Sequence, residues 1–545
     1  MQRKNVIILE NIALIIYVVS ISCISSFHEP WFDEAQAWLI ARDSGILNMI
    51  LHVLRYEGHP PLWYLCLYVP AHMGIPYEWG LKSVNIIISS IAAAMIIKKA
   101  PFPLVVRLLT PFTYFIFYQY GVISRCYSLL SLALWVVAAN IPLRNRKPVK
   151  FSLLLALLGG VTAHGMMISF GVAVAWFIEM VMDHRLLKKD YNVMTWRVAK
   201  DRRFHALLLL GMVNLIYTAI LWPMPDKYTP GLKTAVDPGN LLFMLFVAPL
   251  NGIATDLFSK NFTFTYDMMY VCIAGFILTI VFFIWVLNKG MFLYCALPYL
   301  FTTIFMSFVY FSIHHTGIYT LMIIFGIWVS LGGEQSLQAP AWSQKLYSVF
   351  SDAVSNQVVI NRLLTIFAAF VFAIQIYWSA AASLNDIRFP YTAERDLATF
   401  IKDNGIEGRK IFQCYPNREK GPEYFMQNVA LLPYFPNNII YNHNNGDKKV
   451  SYATHIMVDD EKVLKQLQEA GKPDFIIENG FQIFCYDNIF EPLEYVPVAL
   501  FETRFMWKNL MIDQDCKLYI RKDLLPQFPK LKQIKGNYMH PLWTG

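Results

Sequence analysis

Long apolar runs separated by short polar gaps fill the first 383 positions of the chain. Runs such as NVIILENIALIIYVVSISCISS and MMYVCIAGFILTIVFFIWVLNK approach the ~20 apolar residues that a helix needs to cross the hydrocarbon of a bilayer. The first run contains Glu10 and Asn11 and has no small-residue cleavage signal, so it is interpreted as a retained helix. The pattern predicts spans at residues 5–27, 80–98, 101–119, 126–143, 150–165, 167–183, 205–223, 268–288, 291–311, 316–332 and 361–382.

Two further apolar stretches, at 60–75 and 241–258, are ambiguous, and the basic residues decide whether they cross. Most basic residues lie in short gaps, at Arg3 and Lys4, 98–99, 144–150, 184–203 and Lys289. If neither stretch crosses and the N-terminus is cytoplasmic, these clusters all fall on the cytoplasmic side. If both cross, three clusters move outside, which the positive-inside rule disfavours. The sequence therefore predicts eleven spans, with both stretches lying as helices at the outer interface or re-entering within protein.

The pattern changes after residue 383. The segment 391–405 predicts a helix that stops at Gly405, and 459–471 predicts another. Short β-type runs occur between and after them, in KIFQCY, NNIIYN, PDFIIEN and CKLYI. The chain is therefore divided into a transmembrane domain at 1–383, which ends with a cytoplasmic linker at 333–360 and a last span, and a small α/β domain at 384–545. An odd number of spans places this second domain outside the cell.

Composition and charge narrow the class of protein. The chain has 545 residues, of which 56% are hydrophobic and 15% charged, unlike a soluble globular protein. The net charge of +8 would suit nucleic acid, but the charges follow the span boundaries, and no basic–aromatic module or zinc-finger spacing is present. The eight cysteines are scattered without a CxxC pair, so they indicate no disulfide framework. The sequence predicts a multi-pass membrane protein, with the lipid bilayer as partner and no nucleic acid.

Acidic residues follow the first predicted span, in FHEPWFDEAQAWL at 27–39. Trp31, Ala35 and Trp38 share one helical face, which predicts an amphipathic helix lying flat with its tryptophans at the level of the lipid headgroups. In one interpretation Asp33 and Glu34 form the solvated face of that helix. In the other, one of them is a base for an acceptor hydroxyl, while its neighbour, which points in another direction, orients it or meets the backbone.

Further polar residues lie at predicted outer ends of spans. Glu57 and His59, in EGHPPLWY, form either a solvated turn or a part of the same site. Arg125, in SRCYSLL, is either an interfacial side chain that reaches water or a phosphate ligand, since its fork of donors suits phosphate geometry. Tyr127 would help to position it.

Three histidines complete the set. His314 and His315 diverge as neighbours on a helix, so the spacing does not support zinc binding, and they are interpreted as hydrogen-bond donors to a phosphate or a sugar. His164 is interpreted as a satisfied histidine at a helix end. An outward-facing site cannot draw on cytosolic nucleotide sugars, and no phosphate-binding glycine loop is present. A lipid-carried sugar phosphate fits better, because it needs only a base for the acceptor and cations for the departing phosphate.

The order of four motifs, FDEA, HPPLWY, SRCYSLL and HHTG, resembles the GT-C membrane glycosyltransferases, in the bacterial branch related to protein O-mannosyltransferases and the lipid A aminoarabinose transferase. The resemblance covers about residues 1–383. It implies a polyprenyl-phosphate sugar donor, an inverting transfer on the extracytoplasmic face, Asp33 as base with Glu34 beside it, and Arg125 as ligand of the donor phosphate. It also implies His59 near the acceptor or the phosphate, and a possible divalent metal near Asp33.

The function expected from the sequence is thus transfer of a hexose or pentose from polyprenyl phosphate to a hydroxyl of a glycan, lipid or protein. Asp33 and Glu34 are the predicted catalytic residues, and the predicted phosphate ligands are Arg125, His59 and Tyr127. Glu57, His314 and His315 are predicted to line the substrate pocket. The alternatives are a lipid or solute transporter without chemistry and an enzyme like the O-antigen ligases, which transfers a whole oligosaccharide. A transporter would carry ionisable residues at mid-membrane depth.

Overall fold

The structure, a computed structural model, describes most of the chain. The described residues are 3–188, 196–225, 238–253, 269–333, 357–413, 427–442, 471–479, 494–508, 510–513 and 515–534, with a few single positions between them. The predicted linker at 333–360 and the predicted helix at 459–471 lie almost entirely outside these ranges.

Helices make up nearly all of the first 400 residues. Seven helices are long and apolar enough to cross a membrane, among the residues described: Arg3–Phe27, Tyr77–Lys99, Ala163–Asp183, Arg202–Leu221, Met269–Asn288, Ile313–Leu331 and Thr365–Arg388. The α-helices are α1 Arg3–Phe27, α2 Phe32–Asp43, α3 Ile46–Leu51, α4 Leu62–His72, α5 Tyr77–Lys99, α6 Leu104–Leu109, α7 Tyr127–Asn140, α8 Pro148–Gly159, α9 Ala163–Lys188, α10 Trp196–Ala199, α11 Arg202–Leu221, α12 Pro238–Leu242, α13 Ala248–Ile253, α14 Met269–Asn288, α15 Phe292–Phe308, α16 Thr316–Leu331, α17 Gln357–Arg388 and α18 Glu394–Asp403.

The fold class predicted from the sequence is confirmed as a mainly helical, multi-pass arrangement, whereas the number of spans stays a prediction. Helices α7, α8 and α15 coincide with predicted spans but are shorter than the usual length of a span. The prediction of one helix at 101–119 is wrong. That segment divides into α6, a 3₁₀ turn at Thr110–Phe112 and a π-helix at Phe115–Val122. Pro111, which lacks an amide proton, stands at the break.

The first long loop is helical, as expected, and contains α2, α3 and α4. Helix α4 has 11 residues and is too short to cross the hydrocarbon, in agreement with its predicted place outside the spans. The prediction that α2 is an amphipathic surface helix is wrong, because every residue from Glu34 to Ala41 is buried. Trp38 packs over Gly80, where a side-chain Cβ would lie 2.4 Å from the indole ring, so a larger residue at position 80 would displace α2.

Charged side chains lie at both ends of the long helices. At the end where α1 begins and α5 finishes, Arg107 contacts Glu10 at 2.7 Å. At that end of α9, Arg144 forms a buried ion pair with Glu179 at 2.9 Å. The opposite ends, after α1 and before α5, α9 and α16, carry the acids, Arg125 and the histidines. Because α1 has 25 residues, about 37 Å of helix separates the two polar ends.

Where the structure describes the C-terminal region, it contains helix α18 and six strands. The strands are β1 Ile411–Gln413, β2 Phe475–Asn479, β3 Tyr495–Phe501, β4 Arg504–Trp507, β5 Leu510–Asp513 and β6 Cys516–Arg521. Four of them form a sheet in the order β1-β2-β6-β3, in which only β1 and β2 are parallel. The predicted stop of α18 is confirmed, because Gly405 has φ +64°, a conformation that glycine adopts without strain. Segment 437–442 contributes only an isolated bridge between Ile440 and Ile411.

The remaining two strands, β4 and β5, form a hairpin that joins the C-terminal region to the helices. Lys508, just after β4, is buried and donates from Nζ to the carbonyl oxygen of Asn251 in α13 at 2.8 Å. Its ammonium lies 5.3 Å from the ring centre of Phe115 and 5.0 Å from that of Trp378. These cation–π contacts fasten the hairpin to the π-helix and to α17.

Candidate active site

A glutamate in the first turn of α2 accepts hydrogen bonds from two backbone segments. Glu34 is fully buried, and its Oε2 accepts the N–H of Trp31 at 2.7 Å, as a residue in the third helical position does when it caps a helix. Its Oε1 accepts the N–H of Ser124 at 2.5 Å. The carboxylate of Glu34 therefore connects the start of α2 to the turn that follows the π-helix.

Asp33, one residue earlier, points in a different direction and is partly exposed. Its Oδ2 lies 2.9 Å from Nη1 of Arg125, so the two residues form an ion pair at the surface of the bundle end. The side chains of Asp33 and Arg125 are 24% and 15% exposed, which leaves both open to a ligand. Burial opposes the charge of Arg125, but the attraction of Asp33 raises the pKa of this arginine further above its usual range.

Arg125 lies in a tight turn between the π-helix and α7. The N–H of Arg125 donates to the carbonyl oxygen of Ile123 at 2.9 Å, and Asn85 in α5 donates to the carbonyl oxygen of Gly121 at 2.6 Å. A π-helix has hydrogen bonds between residues five apart instead of four, and such segments are frequent at functional sites. Here it delivers Arg125 to the end of α2.

A directed chain of hydrogen bonds connects Arg125 to the histidines before α16. Arginine has only donors, so Nε2 of His314, 3.1 Å from Nη1 of Arg125, accepts, and Nδ1 carries the proton that faces Oγ of Ser312 at 3.2 Å. The N–H of Ser312 donates to Nδ1 of His315 at 2.9 Å. Nε2 of His315 therefore carries its proton and lies 2.8 Å from the hydroxyl of Tyr127, which donates to His314 at 3.1 Å. Nη1 of Arg125 thus contacts both the neutral ring of His314 and the carboxylate of Asp33.

Glu57 and His59 lie on the adjacent side of α2. Glu57 accepts a hydrogen bond from the side-chain amide of Gln36 in α2 and another from the hydroxyl of Tyr64 in α4, at 3.3 Å. Its carboxylate therefore joins α2 to α4. The ring of His59 meets the ring of Tyr127 edge-on, with 6.4 Å between the centres. The structure thus brings His59 next to Tyr127, and it places Glu57 between α2 and α4.

His28 is the central site residue that the sequence did not assign. It has no exposed surface, and its Nδ1 lies 2.9 Å from Oδ2 of Asp386, while its Nε2 lies 3.2 Å from Oε2 of Glu34. Asp386 also accepts a hydrogen bond from the hydroxyl of Tyr118 at 2.8 Å. Asp386 could have been assigned from the sequence as a carboxylate at the end of an apolar helix, but the predicted span stops at 382.

A second group of charges joins the C-terminal region to this loop. The guanidinium of Arg395 in α18 contacts Glu29 at 3.2 Å and Glu78 at 2.6 Å. Tyr434 donates to Glu78 at 2.8 Å, and Arg42 donates to the carbonyl oxygen of Phe435 at 2.9 Å. The 3₁₀ segment Gln427–Tyr434 therefore covers α2, and this cover explains the burial of a helix predicted to face solvent.

The interpretation of His164 as a satisfied helix-end histidine is wrong. His164 is buried in the first turn of α9, with its ring centre 4.4 Å from that of His315 and 5.2 Å from that of Phe305. Neither ring nitrogen has a hydrogen-bond partner within the described part of the chain. His164 packs against the histidine chain without joining it.

The acids near Asp33 already have partners within the protein. Both carboxylate oxygens of Glu34 accept backbone N–H groups, and Glu29 pairs with Arg395. No group of three or more histidine, cysteine, aspartate or glutamate side chains suited to a metal ion occurs among the described residues. The metal predicted near Asp33 stays a prediction, and no step below passes through one.

Comparisons with known proteins give a distant structural similarity. No family model matches the chain, and no curated protein matches it. The crystal structure of ArnT from Cupriavidus metallidurans bound to undecaprenyl phosphate is similar with a TM-score of 0.46 and 12% identity, over 95% of this chain and 98% of that one. The apo structure of the same protein gives a TM-score of 0.47 and 12% identity, over 94% and 97% of the two chains. At this distance the similarity says nothing of substrate or of individual residues in this chain.

Proposed function

We propose that the protein is an inverting membrane glycosyltransferase that moves a sugar from a polyprenyl-phosphate carrier to an acceptor hydroxyl. The observation that carries the proposal is the ion pair between Asp33 and Arg125, with His314 on the far side of Arg125. A carboxylate that accepts a proton and a cation that binds a phosphate are the two groups that this reaction requires. The order of the motifs FDEA, HPPLWY, SRCYSLL and HHTG, which resembles the GT-C glycosyltransferases, supports the same function.

The ion pair has a defined part in the proposed mechanism. A lipid-linked phosphate competes with Asp33 for the guanidinium of Arg125, whose fork of donors binds phosphate oxygens well. Binding of the donor therefore releases the carboxylate of Asp33 to face the acceptor. Asp33 takes the proton of the acceptor hydroxyl as its oxygen bonds to the sugar carbon, and the bond from that carbon to the phosphate oxygen breaks on the opposite face. Arg125 stabilises the charge on the departing polyprenyl phosphate.

The neighbouring groups hold this arrangement. Tyr127 lies between His314 and His315 and keeps both rings oriented, while the Arg125 guanidinium lies 5.2 Å from the Tyr127 ring centre. His59 borders the same space on the side of α4. In this proposal the site lies on the extracytoplasmic face of a bacterial cytoplasmic membrane, as the basic residues at the other polar end favour. The sugar is a hexose or a pentose, and the acceptor is a glycan, a lipid or a protein.

The experiment that tests the function is transfer of labelled sugar from a polyprenyl-phosphate donor by the purified protein and by the Asp33→Asn variant. We expect the variant to lose activity about 10²- to 10⁴-fold, since it lacks the base, and to keep its fold. Asp43→Asn is the matched control, because Asp43 ends the same helix and pairs with Arg42 away from the site. Equal transfer by the Asp33→Asn variant and the parent would refute the assignment of the base.

The two alternatives predict other products. A transporter or flippase moves a lipid or solute and releases no polyprenyl phosphate when supplied with a donor. An enzyme like the O-antigen ligases releases a polyprenyl carrier only after transfer of an oligosaccharide. Mass spectrometry of the lipid that is released, and of lipid-linked sugars that accumulate when the protein is deleted, separates the three.

A further inference from the structure

A buried histidine lies between two carboxylates from distant parts of the chain. His28 contacts Asp386 of α17 through Nδ1 and Glu34 of α2 through Nε2, and all three side chains lack exposed surface. A neutral imidazole has one N–H and one lone pair, so it donates to one carboxylate and repels the other. Glu34 accepts a backbone N–H at each of its oxygens, and Asp386 accepts the hydroxyl of Tyr118, so both acids are taken as ionised. Two close contacts with their oxygens then require both nitrogens of His28 to carry protons. The geometry makes His28 an imidazolium.

The groups around His28 agree with that charge. Burial opposes the charged form, but the attraction of Glu34 and the hydrogen bond with Asp386 raise the pKa of His28 to about 9. The ring of Tyr391 lies 4.6 Å away, and the guanidinium of Arg395 donates to the backbone oxygen of His28 at 3.2 Å rather than facing its ring. The hydroxyl of Tyr118 satisfies the second oxygen of Asp386.

Glu34 transmits this contact to the proposed reacting pair. It follows Asp33 in the chain, and its Oε1 holds the N–H of Ser124, which precedes Arg125. The carboxylate of Glu34 therefore fixes both backbones from which the ion-paired side chains project. His28 contacts the other oxygen of the Glu34 carboxylate, Oε2, and thereby restricts the movement of this side chain.

We propose that His28, with Asp386 as its counter-charge, is a positioning residue that sets the separation of Asp33 and Arg125 through Glu34. The effect of His28 on catalysis rests on the proposed glycosyl transfer. It assigns a role to the junction between α1 and α2, where the motif FDEA is preceded by a histidine, and to the end of the last long helix. Neither His28 nor Asp386 touches the substrate in this arrangement.

The first arm of the test measures geometry and needs no activity. Structures of the parent, of His28→Asn and of Glu179→Gln are determined by cryo-electron microscopy under the same conditions. Glu179→Gln is the matched control, because it neutralises a buried carboxylate of the Arg144 ion pair at the other polar end. We expect the contacts between Glu34 and Ser124 and between Asp33 and Arg125 to be lengthened only in His28→Asn. Unchanged separations in His28→Asn would overturn the proposal.

The second arm measures kcat and KM against pH. We expect kcat of His28→Asn to fall about 10²-fold, since a displacement of about 1 Å has that cost, with a smaller change in KM for the donor. In the parent, kcat declines above about pH 9 as His28 loses its proton. Asp386→Asn removes the counter-charge and moves this decline to lower pH, whereas Glu179→Gln lowers stability and leaves the profile in place. A parental kcat and pH profile in both His28→Asn and Asp386→Asn would overturn the proposal.

The two arms separate the inference from the function on which it rests. If the parent transfers no sugar, the proposed function fails, and the structures alone then decide whether His28 positions Asp33 and Arg125. If the parent transfers sugar and Asp33→Asn does not, the proposed function stands. An unchanged separation of Asp33 and Arg125 in His28→Asn then refutes only the positioning role of His28.

Discussion

Glu34 accepts a hydrogen bond from the backbone N–H of Ser124 at 2.5 Å, although 90 positions separate them in the chain. The residues next to them, Asp33 and Arg125, form the ion pair on which the proposed chemistry depends. A buried carboxylate that binds backbone thus stands beside an exposed one that is open to substrate. The adjacent acids of the FDEA motif have different environments because neighbours on a helix point in different directions.

Replacement of Arg125 by lysine keeps the charge but removes the fork of donors. Both contacts, with Asp33 and with His314, come from Nη1 of Arg125, and the lysine ammonium is a point charge that cannot also offer a phosphate the planar fork of donors that the guanidinium carries. We expect kcat/KM for the lipid-linked donor to fall about 10- to 10²-fold, the value of one or two charge-assisted hydrogen bonds. Steady-state kinetics measure this, with Arg203→Lys, between Asp183 and Asp201 at the other polar end, as control. An unchanged value for Arg125→Lys would show that phosphate binds elsewhere.

Removal of the hydroxyl of Tyr127 tests the histidine chain. Tyr127→Phe retains the ring beside Arg125 but leaves Nε2 of His314 and of His315 without this partner, so we expect a loss of about 1–3 kcal/mol in unfolding free energy and a lower kcat. Tyr319→Phe removes a buried hydroxyl that contacts Thr303 away from the site, and should lower stability alone. Thermal unfolding and transfer assays are run on both variants. Equal kcat in the two would contradict the orienting role of Tyr127.

His164 should be dispensable for stability. A buried histidine without hydrogen bonds costs about 1–3 kcal/mol, so His164→Leu is expected to unfold at the parental temperature or higher. His315→Leu should instead lower the unfolding temperature, because both nitrogens of His315 are hydrogen-bonded. Scanning fluorimetry of the two variants compares them. A strongly destabilised His164→Leu variant would mean that the ring has a partner beyond the described residues.

Stability should decrease as the pH rises from mildly acidic to alkaline. The pKa of His28 is raised from 6.5 to about 9, so the folded state holds this proton more tightly, and its contribution is complete below pH 6.5 and lost as the pH passes 9. Burial raises the pKa of Glu394 from 4.5 to about 7, so the cost of burying its ionised carboxylate appears as the pH rises between those values and lowers stability in the same direction. Unfolding temperatures at a series of pH values measure the slope. His28→Asn should flatten the part between 6.5 and 9, and an equal slope in that variant would exclude His28 as its source.

The fold was accessible from the sequence to the extent that it depends on the length of apolar runs. The long helices α1, α5, α9, α11, α14, α16 and α17 follow those runs, and the polar residues of the site fall at the ends of helices because charges are excluded from the hydrocarbon. The π-helix Phe115–Val122 was not accessible, since its i→i+5 hydrogen bonds leave no periodicity in an all-apolar run. Strand β3 contains Pro497 beside a bulge, and a proline hides a strand from pattern analysis.

The residues of the candidate site could be predicted where they belong to local motifs. Contacts between segments that are distant in the sequence could not be predicted. Asp33, Arg125, Tyr127 and His314 were assigned from local motifs, and the structure brings them together. The burial of α2 depends on the segment Gln427–Tyr434, and the sequence of α2 does not indicate that another segment packs over it. The partner of His28 is likewise set by the packing of α17 against the start of the chain, which only the folded molecule reveals.

The contact between His28 and Asp386 spans 358 positions, and this has a consequence for synthesis. Chains emerge from the ribosome with the N-terminus first. The segment with Asp33 and Arg125 is thus inserted long before the helix that ends with Asp386. A nascent polypeptide would therefore hold Asp33 and Arg125 without the counter-charge of Asp386 until the helix Gln357–Arg388 has been synthesised.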